Sequence, residues 1–169
     1  YEVLCEQKDS VPPDPCQPNT FFKVLGSQLE REWATGFAPT GDGNLYLAGR
    51  KGAKMLLAKM APDGQLLWVR SFDMAAEVSV VEIIVDSDGM IVGAGRHSDN
   101  FGPRKGMAFR YDPIKDQMLW ASLFDSDRPT ASGIIEKAPN GNFIFYQNPE
   151  LPGIQYLAEV LELDRNTGN

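Results

Sequence analysis

Few side chains in this sequence belong to the types that carry chemistry. The single histidine, His97, opens the stretch His97-Ser98-Asp99-Asn100-Phe101-Gly102-Pro103-Arg104-Lys105-Gly106. A Ser or Cys nucleophile needs a positioned base, and one histidine in a Gly- and Pro-containing loop reads as a surface residue. Asp86-Ser87-Asp88-Gly89 begins like a calcium loop. The further oxygen ligands and the terminal Glu are absent at the required spacing, so it reads as a β-turn. Gly93-Ala94-Gly95-Arg96 is followed by no helix whose N-terminus could hold a phosphate. Cys5 and Cys16 with one His do not complete a tetrahedral metal shell. No catalytic set, no metal and no cofactor is expected.

Contact chemistry is better represented. The loop from His97 to Gly106 brings His97, Asn100, Phe101, Arg104 and Lys105 together in an otherwise acidic chain. An exposed Phe beside basic residues suits a contact patch. Trp33, Trp68 and Trp120 could offer stacking faces to sugars, but two of them repeat. Gln65-Leu66-Leu67-Trp68-Val69-Arg70-Ser71-Phe72-Asp73 and Gln117-Met118-Leu119-Trp120-Ala121-Ser122-Leu123-Phe124-Asp125 are echoes 52 residues apart. Repetition points to packing for Trp68 and Trp120, and leaves Trp33 as the candidate binding aromatic.

The elements that position these residues are also repeated. Asp42-Gly43, Asp88-Gly89 and Asn140-Gly141 follow one another at spacings of 46 and 52. Such dipeptides between apolar runs signal hairpins, because the turn needs a positive φ. The expected strands before them are Trp33–Ala38, Val78–Val85 and Ala131–Lys137. Those after them are Asn44–Gly49, Met90–Gly95 and Asn142–Gln147. A second hairpin follows in each unit: Met55–Ala61 with Gln65–Phe72, Met107–Asp112 with Gln117–Phe124, and Tyr156–Asp164 before the turn Arg165-Asn166-Thr167-Gly168. Each full unit is therefore four antiparallel strands, and a period of this size means stacked β units. The second unit is longer by six residues, placed between its second and third strands, and such insertions often mark a binding face.

Phe22 precedes Trp68 by 46 residues, so residues 20–26 read as a lone fourth strand. The units are then 27–73, 74–125 and an incomplete 126–169. Residues 1–19 form a polar, Pro-rich arm. Two free thiols have no packing reason to lie there, so a Cys5–Cys16 disulfide and an exported setting are expected. The chain opens on Tyr, consistent with numbering that begins after processing or inside a longer precursor.

Composition sets the outer limits. With 169 residues, 43% hydrophobic, the chain holds a real core, and 16 Gly and 12 Pro suit short strands and tight turns. A net charge of −7 disfavours nucleic acid and anionic membranes, which need a basic face. No apolar run reaches the roughly 18–20 residues of a membrane span.

These motifs resemble the propeller repeats of secreted bacterial proteins. The matching residues are Trp68 and Phe72, Trp120 and Phe124, Asp42-Gly43, Asp88-Gly89, Gly49, Gly95 and the hairpins Lys59–Trp68 and Leu163–Gly168. Ala61 and Gln147 depart from the pattern, standing where Asp and Gly are usual. The resemblance spans residues 20–169 and implies an all-β fold, a β-propeller of four-stranded blades. About three blades are present, so they are expected to be part of a larger ring continued by further blades. The function expected is that of a non-catalytic module of an exported or cell-surface bacterial protein, a scaffold for protein contact, adhesion or assembly. Two alternatives stand beside it. One is a quinone-dependent dehydrogenase, whose Asp-x-x-Thr-Gly turns resemble Asp164-Arg165-Asn166-Thr167-Gly168. The other is a lectin-like, carbohydrate-binding propeller.

Overall fold

Alternating apolar residues and glycine-bearing turns produce strands throughout, and the computed structural model is all-β. It describes residues 32–98, 104–125, 130–149 and 158–169, and among these there is no helix. The first sheet runs β1 (Glu32–Pro39), β2 (Leu45–Lys51), β3 (Lys54–Met60) and β4 (Leu66–Phe72). The second runs β5 (Glu77–Val85), β6 (Ile91–Ser98), β7 (Lys105–Asp112) and β8 (Gln117–Phe124). The third holds β9 (Thr130–Lys137), β10 (Phe143–Pro149) and β11 (Glu159–Leu163). All pairings are antiparallel and join neighbours in sequence. Residues 20–26 and the Cys5–Cys16 pair lie outside the described residues.

The Gly-bearing turns explain their own residues. Gly43, Gly64, Gly89 and Gly141 have φ of +81°, +83°, +82° and +91°. Each closes a turn by donating its N–H to a carbonyl three residues back, at 2.9–3.0 Å. The preceding Asp or Asn side chain accepts the N–H two residues on, as Asp63 does from Gln65 at 2.9 Å and Asn140 from Asn142 at 3.1 Å. Gly supplies the left-handed conformation and Asx fixes the turn.

Two further glycines allow a backbone irregularity. A Cβ on Gly49 would lie 1.8 Å from the Trp33 carbonyl oxygen, and one on Gly95 would lie 2.1 Å from that of Ser79. Both face a β-bulge in the preceding strand, at Ala34/Gly36 and at Val80/Glu82. In the third sheet Gln147 takes this place, and its direct partner is Gly133. The departure at Gln147 is thus matched by a glycine on the facing strand.

The sheets stack face to face. Ala38, Tyr46, Ala48, Met55 and Leu57 of the first pack against Val78, Val80, Ile83, Ile91, Met107, Phe109 and Tyr111 of the second. The opposite face of the second, with Val92, Ala94, Ala108 and Trp120, packs against Ile135, Phe143, Phe145 and Leu163. The middle sheet is therefore buried on both sides, which is why Met107-Ala108-Phe109 is a continuous apolar run. The first strands of successive sheets also touch. The Thr35 hydroxyl donates to the Val80 carbonyl, and the Ile135 N–H donates to Glu82 at 2.9 Å.

The strand register relocates the insertion in the second unit. Gly49 pairs with Leu56, seven positions on, and Gly95 with Met107, twelve on. Five of the six extra residues therefore lie between the second and third strands. The sixth lies in the next turn, where Asp112 Oδ1 accepts the N–H groups of Ile114 and Lys115, both at 2.9 Å. Ala61, at the equivalent position, has no carboxylate to hold that wider turn.

Candidate functional site

A cleft of about 260 Å³ opens at the end of the sheets away from the Asp-Gly and Asn-Gly turns. Trp33 and Thr35 come from the start of β1, Arg50 from the end of β2, Glu77 and Ser79 from the start of β5, and Arg96 from the end of β6. The bulges next to Gly49 and Gly95 set the register at which these side chains leave the sheets. Trp33 is paired with Arg50 across one ladder and Ser79 with Arg96 across the next.

Arg50 is held on two sides. Its guanidinium lies 4.1 Å from the Trp33 ring centroid, and its Nη1–H donates to Glu77 Oε1. Guanidinium stacking on an indole is attractive through the ring quadrupole. Trp33 remains 44% exposed, so much of the indole is available to a ligand. Among the described residues, the lining carries two arginines, Arg50 and Arg96, and one glutamate, Glu77. Indole surface, hydroxyls, a carboxylate and guanidinium donors together suit binding of a polar, anionic molecule.

The sequence-predicted contact residues separate. Trp33 lines the cleft. His97 is on the face of β6 opposite to Arg96 by strand alternation, with Nε2 3.3 Å from the Met74 carbonyl oxygen. Lys105 pairs with His97 across the ladder and forms an ion pair with Asp125 at 2.6 Å. Arg104 is exposed immediately before that strand. Asn100 and Phe101 lie outside the described residues. Arg50, Glu77, Ser79, Thr35 and Arg96 were not anticipated as a site. The signal for the two arginines was the tripeptide Ala-Gly-Arg, present at 48–50 and again at 94–96. The glycine is needed by the bulge, whereas the arginine is not needed by the core.

A second polar cluster sits at the other end, between the second and third sheets. The Asp86 side chain, 0% exposed, receives Arg110 at 3.3 Å, Arg165 at 2.8 Å and Lys137 at 2.5 Å. Asp88 receives Arg110 at 2.5 Å and Arg165 at 2.8 Å. Burial pushes the Asp86 carboxyl up. The hydrogen bonds from Lys137 and the Ser87 N–H, with the Arg165 charge, outweigh it and hold the group below its ordinary value. The carboxylates of Asp86-Ser87-Asp88 thus bind protein cations. Among the described residues, no group of three or more His, Cys, Asp or Glu is arranged to hold a metal ion.

Trp120 also belongs to packing. Its Nε1–H donates to the Arg165 carbonyl at 3.0 Å, and its ring lies so close to Gly168 that a Cβ there would come within 2.5 Å. Trp68 packs between Tyr46 and Tyr111 in tilted and edge-on contacts, with centroids at 5.7 and 6.4 Å. Among the described residues no helix is long and apolar enough to cross a membrane. No family model matches the chain, and no curated protein matches it significantly.

Proposed function

We propose that this chain is a run of β-propeller blades serving as a non-catalytic binding module of an exported protein, a scaffold for adhesion or assembly. The observation that carries the reading is the repeated stacking. Equivalent antiparallel sheets lie face to face, and their first strands adjoin. Propellers place first strands around a central channel and leave inter-strand loops at the two ends for binding. The end that carries the Trp33 cleft and the connection between β6 and β7 is the contact surface.

The test uses isolated cell envelopes of the protein's own host as the target. Deleting residues 100–104 is expected to leave circular dichroism and thermal midpoint unchanged and to weaken saturable envelope binding about tenfold, the loss of roughly 1.4 kcal/mol. Unchanged binding by the folded variant would overturn the contact assignment.

Carbohydrate binding is the second reading, favoured by the exposed indole of Trp33. The dehydrogenase reading rests on the Asp164–Gly168 turn. That turn is occupied in packing, since Asp164 Oδ1 accepts from Asn166 at 2.9 Å and Thr167 at 3.0 Å while Gly168 underlies Trp120. A quinone absorbance band in the purified native protein would favour the dehydrogenase over the module.

A further inference from the structure

The cleft at Trp33 has a composition that discriminates among ligands. A neutral sugar needs apolar surface and hydroxyl partners, and an isolated carboxylate needs only a cation. Trp33 with the Thr35 and Ser79 hydroxyls supplies the first need, and Arg50 with Arg96 supplies the second. A guanidinium offers paired donors in the geometry of a carboxylate. Glu77 anchors Arg50 and leaves acceptor capacity for sugar hydroxyls. The volume, about 260 Å³, is below that of pockets that enclose drug-sized ligands, and it fits one six-membered ring rather than a chain of them.

We propose that this cleft binds one hexuronate unit of an acidic glycan, with its carboxylate on the Arg50–Arg96 side and its ring against Trp33. The proposal rests on the reading of this end as a contact surface. It adds the ligand class, an acidic sugar rather than a neutral sugar or an acidic peptide.

The experiment is calorimetric titration of the purified protein, in low salt, with D-glucuronate, D-galacturonate, D-glucose, propionate and a tetra-glutamate peptide. At least one uronate is expected to bind with a dissociation constant on the order of 1 mM, as suits a single-ring ligand. Glucose and propionate are each expected to bind at least tenfold more weakly, and the peptide more weakly than the uronate. Arg96→Gln and Trp33→Leu should each cost tenfold or more with an unchanged circular dichroism spectrum. Glucose equal to the uronates would remove the role of the carboxylate. Propionate equal to them would remove the role of the ring, and tighter binding of the peptide would replace the glycan with an acidic protein. The wild-type titrations decide these points even if a variant fails to fold. Envelope binding without any uronate affinity would overturn this inference and leave the module reading standing. Uronate affinity without envelope binding would do the reverse.

Discussion

Asp86 is the residue whose burial has the clearest consequence. Its carboxylate has no exposed surface and three cationic partners, so removing it leaves Arg110, Arg165 and Lys137 with less compensation. Breaking a buried ion pair from one side costs about 3–5 kcal/mol. Asp88 still serves both arginines, so Asp86→Asn is expected near the lower end, about 3 kcal/mol, read from urea unfolding. The sign of the pH effect follows from the lowered folded-state value. The unfolded carboxyl titrates near 3.8, and the folded one titrates below that. The stabilisation is therefore complete above the unfolded value and is lost as pH falls from there through the folded value. Wild-type stability should drop below about pH 4 more steeply than that of Asp86→Asn. Parallel pH profiles would contradict the account.

Strands and hairpins were largely legible, because their signals are local. Every expected strand in the described residues has a counterpart, and the Gly turns adopt the positive φ that the Asp-Gly and Asn-Gly dipeptides demanded. The division of the insertion was not legible, because register depends on pairing across strands. The cleft was missed for a related reason. Nothing local in Ala-Gly-Arg separates Gly95, which serves the bulge, from Arg96, which reaches the cleft. Gly95→Ala is expected to cost about 1–3 kcal/mol, since its Cβ would meet backbone at 2.1 Å. Volume exchange between sheets gives a sharper element-scale test. The first sheet pairs Leu47 with Ala58, whereas the second pairs Gly93 with Phe109. A Cβ on Gly93 would lie 2.4 Å from the Phe109 ring. Gly93→Leu alone should destabilise by about 1–3 kcal/mol or more. Adding Phe109→Ala should recover most of that loss in denaturant unfolding, and a merely additive pair would contradict the inferred equivalence.

At the scale of the molecule, the first sheet presents a face equivalent to one that is covered elsewhere. Phe37 is 71% exposed, whereas its register equivalents Ile83 and Ile135 are 3% and 0% exposed. Leu67 and Val69 are also exposed large apolar residues in this sheet. In a ring, another blade covers this face in the native protein. Phe37→Ala should then cost about 3–5 kcal/mol there, the figure for a buried Phe. An effect within about 0.5 kcal/mol would mean an open face. The most direct measurement of the central claim is electron microscopy of the native protein. Class averages viewed down the central channel are expected to show a closed ring of radiating blades around it. An open arc or a straight stack of sheets would contradict the propeller and the placement of the contact surface at its end.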